Sequence, residues 1–119
     1  MTLRSLIVDD NSSFLGAARN LLVREGIEVV GVASTGAEAV RLADELRPDV
    51  ALVDIDLGEE SGFDVARRLA GLASLAGARI VLISTHAEKD FAELIEQSPA
   101  VGFLPKSDLS ASRVYELLE

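Results

Sequence analysis

The chain has 119 residues, 11 of them basic and 20 acidic, for a formal charge of −9, with 49% hydrophobic residues and no cysteine. That length suits one domain with a single core, and the apolar content excludes an intrinsically disordered chain. The acidic balance argues against direct binding to nucleic acid or an anionic membrane, and no disulfide or thiol chemistry is available.

The start, Met1-Thr2-Leu3-Arg4-Ser5, opens no signal-peptide-like apolar segment. No apolar run approaches the roughly 18 residues that span a bilayer. A cytoplasmic protein is the expectation. Leu6-Ile7-Val8 reads as a first buried strand running into Asp9-Asp10. Asn11-Ser12-Ser13 can cap a helix over residues 12–24, with Phe14, Leu15, Ala18, Leu21 and Leu22 at core-facing spacing and Gly26 at its end. Residues 27–33 alternate in part, which suits an edge strand with one better-covered face. Thr35 and Glu38 form a capping-box pair for a helix over residues 36–46. Its apolar face is Ala39, Val40, Ala43 and Leu46, and Pro48 stops it.

Val50-Ala51-Leu52-Val53-Asp54-Ile55-Asp56 follows, an apolar run that ends abruptly in a carboxylate. It predicts a strand buried on both faces, with Asp54 at the carboxyl edge of the sheet, where open α/β sheets place their chemistry. A third helix begins near Ser61 or Gly62, with Phe63, Ala66, Leu69 and Ala70 as its apolar residues and Arg67 and Arg68 toward solvent. Residues 78–84 make a fourth buried strand ending in Ser84. Residues 88–97 predict a short acidic helix with Phe91, Leu94 and Ile95 inward. Val101-Gly102-Phe103-Leu104 is a fifth strand, followed by Pro105-Lys106. A last helix runs from about Leu109 or Ser110 to Leu118 and docks through Val114, Leu117 and Leu118. Five strand-like and five helix-like runs with short connections imply an open parallel sheet covered on both faces.

Polar residues therefore end four of the five strands: Asp9-Asp10, Asp54, Ser84 and Lys106. Taken singly, each is ordinary. A strand-end aspartate is often a turn former, Ser84 a cap and Lys106 a solvated lysine. In parallel strands all four ends share one edge, and adjacent first and third strands would bring three carboxylates together. Such a cluster needs positive charge, and Mg²⁺, or Mn²⁺ in its place, is the expected counterion. Asp10 and Asp54 are expected as direct ligands, Asp9 as a ligand directly or through water, and Asp56 through its backbone carbonyl. A metal, a lysine ammonium and a hydroxyl donor together stabilise a transferring phosphoryl group. Asp54 would be the nucleophile forming an acyl phosphate, Lys106 would pair with Asp54 and then with a phosphoryl oxygen, and Ser84 would donate to another.

Val8-Asp9-Asp10, Leu52-Val53-Asp54-Ile55, Ile83-Ser84 and Phe103-Leu104-Pro105-Lys106 closely resemble the receiver domains of two-component response regulators. The resemblance covers essentially all of residues 1–119. It implies a flavodoxin-like (βα)5 fold, a three-layer sandwich with parallel strand order 2-1-3-4-5. It further implies a sensor histidine kinase that donates the phosphoryl group to Asp54, with Asp9 and Asp10 serving the metal. Phe103 matches the family's aromatic switch, which turns inward as the Ser84 hydroxyl moves to the phosphoryl group. The face of the fourth helix, fifth strand and fifth helix would be the signalling or homodimerisation surface. Asp56 and His86 fall where side chains modulate dephosphorylation. The expected behaviour is self-catalysed phosphotransfer and autodephosphorylation rather than multiple-turnover catalysis.

Two departures stand out. Gly58 follows Leu57 where family members often carry proline, and Pro105 precedes Lys106 whereas many members have proline after the lysine. Residues 1–119 are expected to hold the receiver alone, with no output domain among them. A stand-alone receiver and the N-terminal regulatory part of a DNA-binding transcriptional regulator are both open. Three other functions fit these residues less well. A haloacid-dehalogenase-type phosphatase would use Asp54-Ile55-Asp56, but lacks a later acidic pair and a cap domain. A phosphorylation-independent interaction module would leave the acid, hydroxyl and lysine set without purpose. A flavin binder would need a neutral phosphate nest where this chain has carboxylates.

Overall fold

The alternation of apolar runs becomes a five-stranded, all-parallel sheet. The computed structural model describes residues 2–72 and 79–119. Its main strands are β1 (Arg4–Val8), β2 (Glu28–Ala33), β3 (Val50–Asp54), β4 (Arg79–Ser84) and β5 (Gly102–Pro105), in spatial order 2-1-3-4-5. The helices are α1 (Ser12–Arg24), α2 (Gly36–Leu46), α3 (Gly62–Ala70), α4 (Ala92–Gln97) and α5 (Ala111–Leu118). This is the flavodoxin-like (βα)5 arrangement expected, with β2 at an edge. Met1 and Ala78, the latter the first residue of the expected fourth strand, lie outside the described residues.

The period of two along each strand divides the core in two. Leu6, Val8, Ala51, Val53, Ile80, Leu82 and Phe103 pack with Ala39 and Ala43 of α2 and with Phe63, Val65, Ala66 and Leu69 of α3. Ile7, Val50, Leu52, Val81, Ile83 and Leu104 pack with Leu15, Ala18 and Leu22 of α1 and with Ala111 and Val114 of α5. All five residues of β3 are buried. Each fully buried Val or Leu is worth roughly 1.5–3 kcal/mol, so the strand ending in Asp54 is strongly anchored.

Local chemistry sets the helix ends. The Asn11 side chain accepts from the Phe14 amide, the Thr35 hydroxyl from Glu38, Ser61 from Phe63, and Ser110 from Arg113. The Glu38 carboxylate returns to the Ser34 amide at 2.8 Å, one residue before the cap itself. At the other end of α2, Arg47 adopts φ 50°, the left-handed region, immediately before Pro48. The ring of Pro48 disfavours a further right-handed helical residue there.

Three expectations about the helices need correction. Ala70 is exposed, and Val65 takes the buried place instead. Residues 88–97 are not one helix: Glu88–Asp90 form a 3₁₀ turn and α4 begins only at Ala92. The Asp90 and Phe91 amides bond three residues back, to Ala87 and Glu88, and Phe91 leaves helical geometry while its ring meets Phe63 at 6.3 Å. That turn re-aims α4, so Leu94 faces outward rather than inward.

Candidate functional site

Strand order reverses between β1 and β3, because the chain passes from β1 out to β2 and returns to pair β3 on the other side of β1. The carboxyl ends of β1 and β3 therefore frame a crevice. Val8 pairs Val53, and Asp54 pairs Ile83 of β4, so Asp9, Asp54 and Ser84 come level at one edge. Ser84 in turn pairs Pro105, which sets Lys106 just beyond. Asp9, Asp10 and Asp54 each bring a carboxylate oxygen within 4.8 Å of the others. Asp9 and Asp54 are buried, whereas Asp10 is exposed.

Backbone amides orient these acids. The Asn11 amide donates to Asp9 Oδ1 at 2.9 Å and the Asp56 amide to Asp54 Oδ1 at 3.2 Å. Each is a carboxylate folding back on its own chain two residues on. Lys106 supplies the opposing charge. Its Nζ is 3.4 Å from Asp54 Oδ2, the pairing expected, but only 2.5 Å from Asp9 Oδ2, which was not. Asp9 Oδ2 is buried and accepts no well-aligned hydrogen bond; its compensation is this ammonium charge.

Burial, then the charge of Asp9, push the Asp54 carboxyl up to about 6 from its ordinary 3.8, against the pull of Lys106 and the Asp56 amide. Burial opposes charge on Lys106 too, but its close approach to Asp9 and the charges of Asp54 and Asp9 outweigh that and raise its pKa. The metal-free cluster is thus short of positive charge. An all-oxygen, carboxylate-rich set of this kind can coordinate a divalent cation.

Ser84 is buried, and its hydroxyl oxygen accepts from the His86 amide at 3.0 Å, a bond that leaves the hydroxyl proton uncommitted. Phe103 is buried in the core, packed on the same side of the sheet as Phe63 and Leu69. Asp56 and His86, both exposed, approach each other to 3.9 Å, and the His86 ring meets Phe91 edge-on at 5.8 Å.

Three contributors were not anticipated as parts of the site. Gly62 sits so close behind Asp54 that a Cβ there would run into the Asp54 carbonyl oxygen and approach Ile55 Cα to 2.6 Å. Gly58, at φ +60°, turns a two-residue antiparallel pair, Asp56–Leu57 against Glu60–Ser61. A left-handed residue at that turn suits glycine rather than proline, and the pair ties down the acceptor loop. Glu60 reaches from it to the N-terminus of α2, accepting from the Gly36 amide at 2.8 Å. Gly58 in the loop after Asp54 and Gly62 at the start of α3 were the only linear signal of these constraints; nothing in the sequence pointed to Glu60.

Residues 5–118 match the family model described as response regulator receiver domain. The chain is 33% identical over 105 residues to the response regulator GacA of Pseudomonas aeruginosa, covering 87% of this chain and 48% of that protein. It is 37% identical over 118 residues to protein-glutamate methylesterase/protein-glutamine glutaminase 5 of Myxococcus xanthus, covering 97% of this chain and 33% of that protein. It thus spans about half, or less, of these curated relatives. A crystal structure of a response regulator protein from Burkholderia pseudomallei, described with a phosphorylated aspartic acid, calcium ion and citrate, is similar with TM-score 0.83 and 26% identity, covering 98% of this chain and 66% of that one.

Proposed function

This chain belongs to the response regulator receiver domain family, and on that premise we propose that it is a phosphorylation-dependent switch with Asp54 as phosphoacceptor and residues 1–119 as one receiver domain. The observation that carries this is the convergence of Asp9, Asp10, Asp54, Ser84 and Lys106 on one sheet edge. The proposed ion is Mg²⁺, with Mn²⁺ as a substitute. Asp10 and Asp54 would hold it directly, Asp9 directly or through water, and Asp56 would contribute its backbone carbonyl. When bound, such an ion offsets the carboxylate charge and supplies coordination for phosphoryl oxygens.

Asp54 then attacks the phosphorus of a phosphohistidine on a cognate sensor kinase. A carboxylate O–P bond forms, the N–P bond breaks, and its electron pair returns to the imidazole. Lys106, already within 3.4 Å of Asp54, pairs with one phosphoryl oxygen, and the free Ser84 proton is donated to another. Asp56 and His86, 3.9 Å apart, modulate the attack of water on the acyl phosphate; the phosphoryl group is gained and lost at Asp54 itself, so the chemistry is self-catalysed rather than multiple-turnover.

Phosphorylation replaces the single carboxylate charge of Asp54 by a phosphoryl group carrying about −1.5 to −2 charges and three strong acceptor oxygens, a net gain of at most about one negative charge. The movement of Ser84 toward that charge is coupled to the Phe103 side chain. Phe103 is already buried in this structure, so burial of its ring supplies little of the roughly 5.5 kcal/mol that turns a 1:99 population into 99:1. Phosphoryl contacts and association of a second copy through α4, β5 and α5 contribute the rest. Support for that face is the exposure of Leu94 on α4, Val101 before β5 and Tyr115 on α5, at 51%, 45% and 42%. Among the described residues no helix is long and apolar enough to cross a membrane, which is compatible with a cytoplasmic role. Direct nucleic acid contact is not proposed for this acidic domain; a DNA-binding output domain in a longer chain is.

The test is labelling with acetyl phosphate and Mg²⁺. One labile phosphoryl group per chain is expected, and none in Asp54→Asn. Wild-type yield in that variant would refute the assignment.

A further inference from the structure

Phe14 stands on the first turn of α1, and the core-facing spacing of its helix accounts for it as a packing residue. Its surroundings assign it more. The Lys106 ammonium lies 4.5 Å from the centroid of the Phe14 ring, inside the roughly 6 Å reach of a cation–π contact. Three further contacts close a circuit. The Phe14 amide donates to Asn11 Oδ1 at 3.1 Å, the Asn11 amide donates to Asp9 Oδ1 at 2.9 Å, and Asp9 Oδ2 faces Lys106 Nζ at 2.5 Å. The backbone position of the ring and the orientation of the Asp9 carboxylate are therefore set by the same cap residue, and Lys106 bridges the two.

We propose that Phe14 is a positioning residue of the acceptor site, its ring forming a shelf that holds the Lys106 ammonium between Asp9 and Asp54. This rests on the reading of Asp54 as phosphoacceptor and deepens it. A lysine side chain has much rotamer freedom to lose on being ordered. The two carboxylates attract its ammonium without fixing the direction from which it arrives. An aromatic face on the other side supplies both a boundary and an attraction of its own. Leucine supplies the boundary alone, whereas tyrosine keeps the charged face of the ring.

The experiment compares wild type, Phe14→Leu and Phe14→Tyr in Mg²⁺ and a small phosphodonor, measuring the phosphorylation rate against donor concentration. Phe14→Leu is expected to lower the saturating rate by roughly three- to tenfold, with little change in the donor concentration at half-saturation, and Phe14→Tyr to restore it. In parallel, the Lys106 ε-methylene NMR signals of the wild-type protein are expected to show a ring-current shift that Phe14→Leu abolishes and Phe14→Tyr keeps. Equal rates in wild type and Phe14→Leu would overturn the proposal, as would equal losses in the leucine and tyrosine variants, which would leave only a packing role. Should the leucine variant fail to fold, Phe14→Met takes its place, and unshifted Lys106 methylenes in wild type overturn the proposal without any variant. A wild type that gains no phosphoryl group while its Lys106 signals are shifted would instead sink the acceptor reading.

Discussion

Lys106 Nζ lies 2.5 Å from Oδ2 of Asp9, a carboxylate with no solvent exposure. The cation that the chemistry assigns to Asp54 is, in this state, held more closely by its neighbour. Asp9 would be left buried without that charge if the lysine were removed, and breaking one side of a buried pair costs on the order of 3–5 kcal/mol. Lys106→Ala should therefore lower unfolding stability by several kcal/mol at neutral pH. Millimolar Mg²⁺ should restore part of the loss, because it supplies the missing charge to the same acids. Denaturant titrations with and without Mg²⁺ measure both, and an unchanged midpoint would remove the structural role of the lysine.

The raised Asp54 pKa fixes a pH dependence. With a folded value of about 6 against an ordinary 3.8, the folded state binds the proton more tightly than the unfolded chain. The stabilisation is fully present below 3.8 and is lost as pH rises through about 6. Lys106, also raised, keeps its contribution through this window and loses it only at alkaline pH, above its folded value. Metal-free protein should thus become less stable between pH 4 and pH 7, roughly the interval of the Asp54 shift. Asp54→Asn should flatten that slope, and Mg²⁺ should oppose it by favouring the ionised acid.

Gly62 tests the geometry behind the acceptor. A Cβ there would meet the Asp54 carbonyl and the Ile55 backbone rather than a flexible side chain, so the strand end or the helix must move. Gly62→Ala should cost on the order of 1–3 kcal/mol in stability, and by displacing Asp54 it should also slow phosphorylation. Gly16, whose added Cβ would meet nothing within 4 Å, provides the control: Gly16→Ala should leave phosphorylation unchanged.

In the proposed switch the exposed apolar residues of α4 and α5 serve assembly rather than chemistry. Leu94→Glu and Tyr115→Glu change side chains that are half exposed and take no part in the acidic cluster. Phosphorylation rates should match wild type, while phosphorylation-induced association, followed by analytical ultracentrifugation, should weaken. Undiminished association in the double variant would move the dimer to another face.

Strand-end chemistry was legible because parallel strands turn positions distant in sequence into neighbours along one edge. Knowing that the runs ending at Asp9, Asp54, Ser84 and Lys106 were strands was nearly enough to assemble the site. The period of two and the capping residues Asn11, Thr35 and Ser61 likewise stated local preferences that the fold kept. What the linear pattern could not carry was the direction of a side chain at a boundary. Leu94 and Ala70 have the spacing of inner residues, yet a 3₁₀ turn ahead of one and the end of α3 at the other turn them to solvent. The closer partner of Lys106, the ring of Phe14 beneath its ammonium and the reach of Glu60 to α2 were likewise settled only in three dimensions. Composition and periodicity report which face of an element is apolar. Which charge sits nearest which depends on distances of a few ångströms between separate elements, and those exist only once the sheet has closed around its crevice.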